Sequence, residues 1–139
     1  MSLPRITKQP DDVNVTTSCS SASFVCVAHA YGLTKIVWKR VNYTLPITAD
    51  VTEEKSLNEL SSTLTITEVV GYYSGQYYCI AENEAGNVTS RIVNLHVKTS
   101  KVDITVLHTV IKHISIYIAT CGTITFFLKQ KALQISQLN

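Results

Sequence analysis

An all-β sandwich of two packed sheets is predicted for most of this chain, and three observations predict it. Valine, isoleucine and threonine supply 15, 13 and 17 of the 139 residues, and these β-branched side chains suit a pleated surface better than a helix. Short segments alternate apolar and polar residues between turn residues, the period of strands with one buried face. Five glycines and three prolines against 45% hydrophobic residues exclude wholesale disorder and a collagen-like repeat, and they allow a true core. The length fits one ordinary domain of about 100 to 150 residues with an appendage, which excludes a large multi-domain enzyme.

The strands follow in chain order. In Ser23 to His29, Phe24, Cys26 and Ala28 fall on one face, and in Lys35 to Val41, Ile36 and Trp38 do the same. Leu64 and Ile66 alternate with Thr63, Thr65 and Thr67, and Tyr77, Cys79 and Ala81 alternate with Gln76, Tyr78, Ile80 and Glu82. Asn83 to Asn87, Asn-Glu-Ala-Gly-Asn, is turn chemistry that leads into alternating Leu95 and Val97, so the last two strands are expected to form a hairpin. No internal repeat is present.

Charge marks a boundary near residue 99. Residues 1–98 carry 8 basic and 9 acidic side chains, whereas 99–139 carry 4 and 1. From Ile104 to Leu128 the one charge is Lys112. Residues 106–128 are therefore expected to form a membrane-spanning helix of the necessary length, about 20 residues, after a juxtamembrane linker at 99–105 and before a short cytoplasmic tail at 129–139. Because a lysine in mid-bilayer costs about 2.5 to 3.5 kcal/mol, the span fits best from Val110, with Lys112 and His113 reaching the outer interface. The alternatives are a disordered β-branched segment or one joined from an incorrect exon.

Cys26 and Cys79 stand 53 residues apart, Trp38 lies 12 after the first and Tyr77 two before the second. That constellation resembles the immunoglobulin fold. The stretch Tyr77-Tyr78-Cys79-Ile80-Ala81-Glu82-Asn83-Glu84-Ala85-Gly86 is similar to the Y-x-C-x-A-x-N-x-x-G segment of its I-set branch, and Leu64 to Val69 to the L-x-I-x-x-V strand. Pro4 to Val15 resembles the split first strand, with a break at Pro10. Over residues 4–98 the resemblance implies a two-sheet Greek-key sandwich. In it a Cys26–Cys79 disulfide joins the sheets, Trp38 packs on the bridge with Leu64 in the core, and the Tyr77 hydroxyl bonds backbone at a corner. Two reduced cysteines buried as small hydrophobes in a cytosolic member are the alternative. One position departs from the family: Tyr73 stands where aspartate is usual in D-x-G-x-Y-x-C, so the usual buried carboxylate pairing is lost or replaced.

Three sequons, at Asn14, Asn42 and Asn87, are expected on strand edges or loops, where a glycan would reach solvent. They argue for the secretory route and a single-pass cell-membrane protein with its immunoglobulin domain outside. Met1 to Pro10 contains no apolar stretch of signal-peptide length, so missing upstream sequence is expected. Cys19, in a Ser/Thr-rich turn, is expected to be a free surface thiol, with an intermolecular bridge as the alternative; Cys121 lies in the apolar tail, where acylation is conceivable.

Chemistry-bearing motifs are missing. His29, His96, His108 and His113 have no partners at zinc-ligand spacing, and no nucleophile elbow or phosphate-cradling loop occurs. No enzyme, metal or cofactor is expected. A net charge of +2 without a dense basic block gives no reason to invoke nucleic acid. Surface recognition remains. Val37, Lys39, Val41, Tyr78 and Ile80 alternate outward on one sheet and have the composition of an interface centre, against the alternative of ordinary scattered apolar residues partly covered by the last strand. The resemblance implies a non-enzymatic adhesion or recognition module of the cell surface that binds another protein, its own kind included. The rivals are a cytosolic titin-like spacer and an ectodomain fragment of a receptor kinase or phosphatase.

Overall fold

Nine strands lie within the residues that this computed structural model describes, 2–16 and 20–98, and the central ones bury every second side chain. They are β1 (Arg5–Lys8), β2 (Val13–Thr16), β3 (Ala22–His29), β4 (Leu33–Arg40), β5 (Ala49–Lys55), β6 (Glu59–Ile66), β7 (Gly75–Asn83), β8 (Gly86–Thr89) and β9 (Val93–Lys98). One sheet has the order β1-β3-β6-β5; the other runs β2-β9-β7-β4, with β8 also paired to β7. Because β3 pairs with β6 and β4 with β7, the chain crosses repeatedly between sheets, the Greek-key arrangement. The expected two-sheet sandwich is thus present.

The split first strand follows from Pro10, which offers no backbone donor and is fully buried. On one side of it β1 runs antiparallel to β3; on the other β2 runs parallel to β9 in the opposite sheet. Arg91 ties the crossing down: its Nε donates to the Pro10 carbonyl at 2.9 Å, its backbone N–H donates to Gln9 Oε1 at 2.9 Å, and its guanidinium pairs with Asp11. Asp12 accepts the Asn94 N–H at 2.7 Å.

The last hairpin differs from the expected one by an interruption. The turn is as its residues suggest, since Asn83 Oδ1 accepts the Ala85 N–H at 2.9 Å and Gly86 takes φ +142°, a value that side chains disfavour. The returning strand then breaks at Ser90 to Ile92, so β8 pairs with the end of β7 and β9 with its start. Ser90 bridges the break. Its N–H donates to the Cys79 carbonyl and its Oγ accepts the Cys79 N–H, both at 2.9 Å.

Phe24, Leu64, Ile66, Tyr77, Val93 and Leu95 fill the core between the sheets. Strand β5 contributes nothing comparable: it pairs with β6 over seven registers, yet its side chains from Asp50 to Lys55 are exposed. The tail, with its linker, membrane span and cytoplasmic end, lies outside the described residues, as do Cys19, Cys121, His108 and His113. No described helix is long and apolar enough to cross a membrane.

Candidate protein-recognition surfaces

Two inter-sheet links stand side by side at the centre. Cys26 of β3 and Cys79 of β7 form a disulfide with their Cα atoms 6.6 Å apart. Trp38 is the ladder partner of Cys79 and Ser62 that of Cys26, so indole and hydroxyl face each other beside the bridge. Trp38 Nε1 donates to Ser62 Oγ at 3.0 Å, which satisfies a buried donor across the sandwich. Phe24 stacks on Tyr77 at 5.3 Å and lies 6.2 Å from Trp38. The Tyr77 hydroxyl donates to the Tyr73 carbonyl at 2.7 Å, closing the expected corner. Burial pushes its pKa up, with Tyr73 adding to the rise and the Arg40 cation opposing it.

The outward face expected from alternation is assembled as a surface. Val37 lies opposite Ile80 and Lys39 opposite Tyr78 in the β4–β7 ladder. Lys39 is exposed, whereas Val37, Val41, Tyr78 and Ile80 are half-buried by their neighbours. Lys35 and Glu82 form an exposed ion pair of 3.1 Å at its edge. Asn14, Asn42 and Asn87 are all exposed, Asn42 in a left-handed turn at φ 64°.

Exposed apolar side chains gather instead at the two ends of the sandwich. At one end stand Tyr31 in the β3–β4 turn and Leu57 in the β5–β6 turn, loops joined by an Ala30 N–H to Asn58 carbonyl bond of 2.9 Å. At the other, Tyr43 and Ile47 of the β4–β5 connection adjoin Val70 and Tyr72 of the β6–β7 connection. Ile47 and Tyr72 are 94% and 70% exposed.

Beneath this second cluster sits a residue that sequence reading passed over. Arg40 continues the inward parity of Ile36 and Trp38, and the side chain is only 7% exposed. The guanidinium lies 4.8, 5.3 and 5.7 Å from the Tyr43, Tyr72 and Tyr77 ring centres. Its Nη2 donates to the carbonyls of Tyr72 and Ser74, while Nε is buried without a partner. Among the described residues no carboxylate pairs with it. Gly75, at φ +148°, passes beside this group; a Cβ there would lie 3.6 Å from Nε. The carboxylate pairing lost with Tyr73 is therefore replaced by carbonyls and aromatic faces. Among the described residues no three His, Cys, Asp or Glu side chains gather as metal ligands.

The immunoglobulin-domain family model matches residues 4–83, more than half of the 139-residue chain. The chain belongs to the immunoglobulin family. Solved immunoglobulin domains of titin and of an obscurin-like protein share its fold, which supports the I-set type. It is similar to titin Z1Z2 in complex with telethonin, with a TM-score of 0.60 and 24% identity over 73% of this chain and 52% of that one. The titin fragment I67–I69 gives a TM-score of 0.59 and 26% identity, covering 71% of this chain and 34% of that one. A titin M10 complex with an obscurin-like immunoglobulin domain gives 0.58 and 21%, covering 71% and 96%. The chain thus spans about half of the first and a third of the second. Among curated proteins none matches it.

Proposed function

We propose that this immunoglobulin domain is a non-enzymatic recognition module of a cell-surface chain, making its protein contacts through the ends of the sandwich. The observation that carries the reading is the gathering of exposed Tyr43, Ile47, Val70 and Tyr72 on adjoining loops at one end. Exposed apolar and aromatic side chains so concentrated are what interface centres are made of. The inter-sheet disulfide and three exposed sequon asparagines support an extracellular setting, since disulfides persist in oxidising compartments. The family is one that generally works by binding rather than catalysis. The half-buried face around Tyr78 offers a second, flatter contact surface.

A spacer reading has its own support, because the solved structures resembling this chain include titin fragments of more than one domain. One experiment separates the two. The full chain is expressed in cells behind an added leader, then tested for surface display, glycan loss and binding to a panel of recombinant ectodomains. The recognition reading expects a mass fall on deglycosylation and at least one ectodomain bound, with binding abolished by Ile47→Asp. A chain that takes no glycan and binds no ectodomain would hand the case to the spacer.

A further inference from the structure

Arg40 is a buried cation whose Nε has no protein partner, and it borders a concavity. Arg40 lines this concavity of about 470 Å³ together with Tyr43, Pro46, Ile47, Tyr72 and Tyr73. The tyrosine faces attract the positive charge but supply no acceptor in the guanidinium plane. Two main-chain carbonyls occupy Nη2 and leave Nε unmatched. Buried polar groups without partners are rare and costly in native proteins, so an acid entering the concavity meets a guanidinium short of acceptors, with Nε–H as a buried reporter of its charge rather than the atom first touched.

We infer that this pocket takes a carboxylate carried on an apolar protein segment, with the acid directed at Arg40 and its flanking side chains on the Tyr43, Ile47 and Tyr72 rim. Charge decides the occupant. The cation has no anionic partner among the described residues, so a negatively charged group complements it better than a neutral one. The rim decides the rest of the chemistry, because Ile47 and Tyr72 are the most exposed apolar surfaces bordering the pocket. An aromatic and aliphatic ring around one buried charge excludes water from the bond, the arrangement that concentrates binding energy at an interface centre. The inference rests on the recognition reading and specifies its partner's chemistry.

The test follows the Arg40 Nε–H resonance in the isotopically labelled, oxidised full-length chain. The probe is the peptide acetyl-Leu-Glu-Leu-amide, and the control replaces its acid with glutamine. The expected result is a saturable Nε–H shift with the acidic peptide at millimolar concentration, at least tenfold weaker with the amide because the charge-assisted bond is lost. Tyr72→Ala and Ile47→Ser, both on the exposed rim, should weaken binding about threefold while leaving the fold intact. No shift at about 20 mM acidic peptide overturns the inference, since even a weak complex saturates there. Equal binding of the two peptides overturns it too, though the recognition reading would survive. A shift that follows protein concentration without peptide assigns the pocket to a second copy and also overturns it.

Discussion

Ser62 carries no charge and no motif, yet it is the residue on which the tryptophan depends. Its hydroxyl is the acceptor for the Trp38 N–H in a fully buried position. Removing one partner of a buried hydrogen bond costs about 1 to 3 kcal/mol, because the other is left unsolvated. Ser62→Ala should lower the unfolding free energy by that amount in urea titration, more than Ser61→Ala on the outward side of the same strand; equal effects would remove the indole bond from the account. Tyr77 gives a pH signature. Its pKa is raised above the usual 10 by burial, so the folded state holds the proton longer than the unfolded chain. Its contribution is therefore complete below pH 10 and declines as pH rises above it. Tyr77→Phe should lose about 1 kcal/mol at neutral pH with the bond to Tyr73, and its Tm should fall less steeply than wild type above pH 10.

The period-two rule found β3, β4, β6 and β7 because each buries one face against the opposite sheet. It could not find β5, whose burial pattern has no alternation to read: backbone pairing with β6 places it at the sheet edge, with Ala49 packed against the core. The crossing between β1 and β2 is held differently, by side chains of a distant segment. Arg91 bonds Pro10 and pairs with Asp11, but that ion pair is exposed and worth little beside the carbonyl bond. Arg91→Ala should therefore cost about 1 kcal/mol or less. Amide exchange should accelerate in β2 and not in β3 or β6, and moderate salt should leave the difference unchanged. Acceleration spread evenly over both sheets would mean that Arg91 supports the core as a whole.

On the scale of the whole domain the disulfide dominates, because it joins layers that are otherwise held by packing. Closing a loop with a sequence separation of 53 residues contributes about 4 kcal/mol on the loop-entropy estimate. That is a large share of the 5 to 15 kcal/mol, roughly, that keeps a domain folded. Reduction should lower the unfolding free energy by this amount, read as the shift of the urea midpoint with and without dithiothreitol. An unmoved midpoint would show that packing around Trp38 and Phe24 suffices without the bond.

By itself the sequence determined the all-β sandwich, the inward faces of its central strands and the turn at Asn83, since alternation and special backbone conformations are written in local residue order, whereas the pairing of Cys26 with Cys79 was implied by the resemblance to the immunoglobulin fold. Arg40 and Ser62 share the inward parity of Trp38 and Leu64, but the sequence reading did not use it. What they do there depends on which residues of other strands arrive beside them, a matter of ladder register. Tertiary structure alone placed Ser62 opposite the indole, broke the last strand at Ser90, and set Tyr43 and Ile47 against Tyr72. Hydrogen bonds and cation–π contacts act over a few ångströms of space between segments far apart in the chain. No local pattern records such distances.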